Sequence, residues 1–153
     1  MLIVDLKKHI KAIGTLEAII KSMFKIRRII MTESQEQKAL FQWAGLAEQQ
    51  YPELKLLHHI PNGGKRDPKT AVNLKKEGVK AGVPDIFLPV ARGQYHGLYI
   101  ELKTQKGKVQ KNQKEWLNAL EKHGYSTNVC YGWLEARKVI EDYLSLNCLE
   151  LLR

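Results

Sequence analysis

Apolar positions are spaced differently in successive parts of the chain, and each change of spacing marks an element. From Thr32 onward they fall three and four residues apart, at Leu40, Trp43, Ala44 and Ala47, behind a Thr32/Gln35 capping-box pattern; this predicts a helix over "TESQEQKALFQWAGLAEQQ". Glu33 and Glu36 precede Leu40 by seven and four residues, so the inner face of this helix points a carboxylate inward near its start, with Gln37 one turn after Glu33. Both acids also suit the positive end of the helix dipole, and the sequence leaves open which of them serves a site. "LKLLHHI" (54–60) reads as a short strand and "PNGGKR" (61–66) as a turn. Asp67 then caps a helix with Pro68 at its first position and Gly78 at its end. Two strand-like runs, 83–90 and 97–103, flank a hairpin across Arg92, Gly93 and Gln94. "KVQKNQKEWLNALEKHG" reads as a helix with Val109, Trp116, Leu117 and Leu120 inward and Gln113 on the same face. A strand "STNVCYG" and a final helix through Ala136, Ile140, Tyr143 and Leu144 complete the order. Helix, strand, helix, strand, strand, helix, strand, helix predicts an α/β fold, a mixed sheet flanked by helices.

The first 30 residues stand apart. Leu16, Ile19, Ile20, Met23 and Phe24 form a helical stripe, with Lys21, Lys25, Arg27 and Arg28 mostly off it. Such a helix packs on its own domain or a second subunit, or lies on a membrane surface or nucleic acid. The chain divides into an N-terminal helical extension, 1–30, and a single domain, 31–153.

Composition narrows the classes. Of 153 residues 44% are hydrophobic, enough for a core, and Lys+Arg 25 against Asp+Glu 16 leaves a net charge of +9. A surface of that sign favours a polyanion, because each neutralised phosphate releases counterions. Cys130 and Cys148 fit no metal-knuckle spacing and read as reduced thiols of a cytoplasmic protein. No uncharged run is long enough to span a membrane, and Asp5, Lys7 and Lys8 break the apolar N-terminus before it resembles a signal peptide.

The chemistry concentrates in "GVPDIFLPVARGQYHGLYIELKTQKGK", residues 82–108. Strand residues two apart face the same side, so Tyr99, Glu101 and Lys103 share one face and Leu98, Ile100 and Leu102 the other. The hairpin brings Asp85 near Glu101. Two adjacent carboxylates repel unless a cation lies between them, and oxygen donors of this kind suit Mg²⁺ or Mn²⁺. Lys103 beside such a cation would orient or help deprotonate an attacking water and offset phosphate charge. Lys106, Lys108, Lys111 and Lys114 follow the site and are candidates for phosphate contacts; Lys65 and Arg66 on the glycine turn, with Lys69, Lys75, Lys76 and Lys80, form a second basic ridge. Of His58 and His59, one is expected in the core and the other near the site, neither as a metal ligand. Trp43, Trp116 and Trp133 read as core. His96, Tyr95 and Tyr99 have packing or solvent roles as their commoner explanation.

Pro-Asp and Glu-x-Lys on one hairpin, with an acidic helix before and a Gln-bearing helix after, have the layout of the PD-(D/E)xK nucleases. "HIPNGGKR", "NLKKEGVKAGVPDIFLP", "GLYIELK" and "QKNQKEWLNALEKHGY", in that order, resemble the VRR-NUC family of virus-type replication-repair nucleases across roughly residues 32–145. The resemblance implies a restriction-endonuclease-like fold. It makes Asp85 and Glu101 metal carboxylates, Lys103 the catalytic lysine, Gln113 the helix glutamine of the catalytic set, Glu33 the first-helix acid and a third metal ligand with Gln37 beside it, and Asn62, Gly63 and Gly64 the Asn-Gly-Gly turn that meets the nucleic acid. Glu36 competes with Glu33 for that helix role. The implied activity is metal-dependent cleavage of branched or flapped DNA by a homodimer, in a family whose standalone members are typical of bacteriophages and prophages. A non-catalytic DNA-binding scaffold of the same fold and a nonspecific single-strand nuclease are the rival readings.

Overall fold

The computed structural model describes residues 17–19, 31–61 and 67–147. Residues 17–19 are helical and exposed; the rest of the expected N-terminal stripe, Asn62, Gly63, Gly64, Lys65, Arg66 and Cys148 lie outside the described residues. Four strands form one sheet in the order β1 (His58–His59), β2 (Ile86–Leu88), β3 (Leu98–Lys103) and β4 (Ser126–Tyr131). The β1–β2 and β2–β3 pairs are antiparallel, whereas β3 and β4 run parallel. A parallel pair needs a crossover, and helix α3 (Lys111–Lys122) provides it. Among the described residues, α1 (Glu33–Ala47), α2 (Pro68–Lys76) and α4 (Trp133–Leu144) accompany it. The result is a mixed α/β sheet flanked by helices, as the element order predicts.

Alternation along β3 separates the two faces of the sheet. Leu98, Ile100 and Leu102 join Ile86, Leu88 and Cys130 in the core, where Leu40 and Ala44 of α1 and Ala136, Ile140 and Tyr143 of α4 complete the packing. Burying each of these Leu and Ile side chains contributes about 1.5–3 kcal/mol. The Tyr143 hydroxyl satisfies itself on the Val90 carbonyl at 2.6 Å. Between α1 and α4 the Arg137 guanidinium lies 5.4 Å from the centroid of the Trp43 ring.

Several elements differ from the sequence expectation. The segment expected as a strand over 54–60 is a 3-10 helix, Pro52–Leu56, and only His58 and His59 are extended. Pro52 opens that turn, and buried Leu54 and Leu57 are three apart, a spacing that fits a 3-10 turn and not a strand. His58 and His59 are both exposed, so neither is a core residue. β2 is shorter than expected, ending before Pro89, which has no N–H to continue a ladder. Helix α3 begins at Lys111, leaving Val109 outside it, because Gln110 and Gln113 form a reciprocal cap there. Trp43 and Trp133 pack against the core, but Trp116 does not join it. Its indole N–H reaches the Ala81 carbonyl at 3.2 Å instead.

Candidate active site

Glu101 is the centre of the site. Its position in β3 turns it away from the Leu98, Ile100 and Leu102 face, and it is fully buried. Lys103, two residues on, lies on the same side, and its ammonium donates to Glu101 Oε1 at 2.5 Å. Gln113 Nε2 donates to that same oxygen at 2.5 Å, while Gln113 Oε1 accepts from the Gln110 amide at 2.9 Å. The helix cap thus fixes the Gln113 side chain, and Gln113 fixes the carboxylate. Both donors sit on Oε1, and Oε2 is buried without a hydrogen-bond partner.

Asp85 lies one step before β2, whose first residue Ile86 pairs with Ile100. The antiparallel register therefore sets Asp85 opposite Glu101, as the hairpin argument expects. Its Oδ2 accepts from the Leu102 amide at 3.0 Å and its backbone carbonyl from the Ile60 amide at 2.7 Å. One carboxylate oxygen of Asp85 is thereby committed to the backbone. Burial raises the Glu101 pKa to about 7; the Lys103 hydrogen bond opposes this and the neighbouring Asp85 charge reinforces it. For Lys103, burial acts to lower the pKa, but the hydrogen bond to Glu101 and the charges of Glu101, Glu33 and Asp85 outweigh it, leaving the value raised. The ammonium therefore keeps its proton.

The two acids of α1 part company. Glu33 Oε1 lies 3.5 Å from Lys103 Nζ, at the open edge of the site. Glu36 is fully buried one turn later, and its Oε2 accepts from the Trp133 amide at 2.8 Å. There it satisfies the first turn of α4, whose N-cap Gly132 offers no side chain. Lys106, Lys108, Lys111 and Lys114 are all exposed along the segment leaving β3 and the first turn of α3, the position a phosphate-contacting row requires. Sequence reasoning missed Gln105, whose amide donates to the Tyr131 carbonyl at 2.6 Å and ties this segment to β4. Cys130 is a buried free thiol in the core, its pKa pushed up to about 12 by burial and then by Glu135, which removes it as a nucleophile.

Among the described residues, no three His, Cys, Asp or Glu side chains, the expected Glu33, Asp85 and Glu101 included, form a group that could hold a metal ion. Mg²⁺ does not need such a group, because it commonly takes one or two carboxylates and keeps several waters. The unpartnered Oε2 of Glu101 and the adjoining Asp85 carboxylate are oxygen donors that fit such an ion, while the neighbouring Leu102 carbonyl accepts from the Lys103 ammonium at 3.3 Å. No helix among the described residues is long and apolar enough to cross a membrane.

This arrangement can be set against known proteins. No curated protein matches the chain. A solved structure described as "VRR_NUC domain protein" is 33% identical in sequence and superposes with a TM-score of 0.66, covering 77% of this chain and 92% of its own. The VRR-NUC domain profile matches residues 24–133, which include Glu33, Asp85, Glu101, Lys103 and Gln113. With the sheet, the acid pair and the lysine in place, these matches show that the chain belongs to the VRR-NUC family of nuclease-type domains.

Proposed function

We propose that this protein is a Mg²⁺- or Mn²⁺-dependent endonuclease that hydrolyses phosphodiester bonds in branched DNA, a four-way junction or a flap, and works as a homodimer. The observation that carries the chemistry is Glu101: a buried carboxylate held on one oxygen by Lys103 and Gln113, with its other oxygen unpartnered beside Asp85. An unsatisfied buried carboxylate oxygen is expensive in an isolated protein and favourable next to a cation.

Asp85 and Glu101 would hold the ion, which when bound supplies Lewis acidity toward a phosphate oxygen and a water of lowered pKa. The chain's own groups do the rest. Gln113 sets the rotamer of Glu101. Lys103, protonated at Nζ, offers positive charge and a hydrogen-bond donor where negative charge develops on the phosphate and the attacking water. Its raised pKa favours this orienting and neutralising role over that of a general base. Glu33 at the site edge steadies the ammonium from the solvent side. Exposed Lys106, Lys108, Lys111 and Lys114 supply backbone contacts that hold DNA without reading bases. The preference for branched substrates follows from the family reading, and a two-fold assembly suits a junction in which two symmetric strands are cut.

The test is cleavage of labelled four-way junction, flap, linear duplex and single strand, each with Mg²⁺, Mn²⁺ or EDTA. Cutting of a branched substrate only in metal supports the whole reading. Metal-dependent cutting of single strands alone selects a nonspecific single-strand nuclease, and binding without cutting in any metal selects a DNA-binding scaffold.

A further inference from the structure

Helix α3 touches both carboxylates of the site, one directly and one through a loop. The direct contact is Gln113 on Glu101. The indirect one begins with Trp116, whose indole N–H donates to the Ala81 carbonyl at 3.2 Å. One turn earlier on the same face, Asn112 presses on Gly82 so closely that a Cβ there would lie 2.9 Å from Asn112 Nδ2 and 3.0 Å from the Asn112 carbonyl carbon. Gly82 has φ of +92°, so both conformation and space reserve this position for glycine. From Gly82 only Val83 and Pro84 intervene before Asp85; Pro84 is fully buried and its ring fixes φ. The backbone path from the α3 contact to the Asp85 carboxylate is therefore short and stiff.

We propose that Asn112 and Trp116 are positioning residues: they hold the 81–84 loop so that Asp85 meets Glu101, making α3 a rigid bracket that sets the separation of the two carboxylates. The proposal rests on the reading of Asp85 and Glu101 as the acid pair of the site. Neither residue lies in the main core, and the contacts each makes on the 81–84 loop lead to Asp85.

The experiment uses Trp116→Phe, which keeps an aromatic ring and removes only the donor, together with Asn112→Ala, in the full chain. The first readout needs neither metal nor activity. The Leu102 amide is held by Asp85 Oδ2, while the nearby Ile100 lies within the ladder against Ile86 and Asn128. Hydrogen exchange of Leu102 relative to Ile100 should accelerate about tenfold in Trp116→Phe. The second readout is Mn²⁺ binding by calorimetry, where loss of a supporting contact should weaken affinity about tenfold. An unchanged Leu102 to Ile100 ratio in both variants, or a loss of protection shared equally by the two amides, overturns the proposal. A wild-type protein that binds no Mn²⁺ would defeat the metal reading instead, and the exchange ratio would still decide this one.

Discussion

Replacing Glu101 by Gln removes a titrating group from a buried site while keeping its shape. In the metal-free protein the Glu101 carboxyl titrates near 7, against an ordinary value of 4.5. A folded-state pKa above the unfolded one means that the protonated form is favoured by folding. The associated stability is fully present below about 4.5 and is lost as pH rises through about 7. That gap amounts to about 3 kcal/mol at 1.36 kcal/mol per pH unit. In the wild type Lys103 stays charged throughout this window, since the Glu101 hydrogen bond and the surrounding carboxylates hold its pKa up against burial. Glu101→Gln is neutral at every pH and should escape the loss. Urea unfolding in EDTA, followed by tryptophan fluorescence at several pH values, should show the two proteins nearly equal below pH 4.5. The variant should lead by about 3 kcal/mol at pH 8. Adding Mg²⁺ at pH 8 should close most of that gap: at a hundred times its Kd, a bound ion adds about 2.7 kcal/mol to the wild type, and Glu101→Gln should gain little of it. A stability difference that stays constant between pH 4.5 and 8 would refute the burial argument. An equal response of both proteins to Mg²⁺ would refute the placement of the ion.

Lys103→Met should lower cleavage by at least about a hundredfold at saturating metal while the protein still binds DNA, the size of loss typical for one preorganised charge donor; a near wild-type rate in a gel assay removes Lys103 from the chemistry. Glu33→Ala and Glu36→Ala should fail differently. The first should reduce activity with little change in Tm, since Glu33 is on the exposed edge of the site. The second should cost about 1–2 kcal/mol of stability as the buried end of α4 loses its acceptor. Thermal melts beside cleavage rates separate the two. Removing Lys106, Lys108 and Lys111 together should weaken binding to every DNA by a similar factor and flatten the slope of log Kd against log salt by about three. An unchanged slope in a titration from low to high salt places the DNA elsewhere.

The site was readable from the sequence where local geometry alone decides position. Period-two alternation in β3 and one hairpin suffice to put Asp85 opposite Glu101 and Lys103 beside it; Gln113 does reach Glu101, although of the two residues whose spacing aimed it inward Val109 lies outside α3 and Trp116 off the core. Glu33 and Glu36 could not be separated, because both sit in the first turn of α1 and both satisfy its dipole. Their fates depend on how α1 is rotated against α4 and the sheet, a tertiary quantity with no local signal. The stretch 54–60 misled because Leu54, Leu56 and Leu57 support either a period of two or a period of three. Only burial of Leu54 and Leu57 with exposure of Leu56 shows which applies. Trp116 was misplaced for a related reason: its spacing fits the apolar face of α3, but its indole N–H needs an acceptor, and Ala81 supplies one away from the core.

The hydrogen bond between Glu36 and the Trp133 amide spans almost a hundred residues and has a consequence for the order of events during synthesis. Helix α1 is made early and can meet β3 and the 3-10 turn, but the burial of Leu40, Ala44 and Glu36 is complete only against α4, which is made late. Until α4 has emerged, Glu36 has no amide to meet, and Glu33, one turn away, has no fixed approach to Lys103. Contacts of such wide separation close late in folding. A partly translated chain therefore carries Asp85, Glu101 and Lys103 without the helix that completes their surroundings, and the full set of contacts around the acid pair forms only when α4 docks.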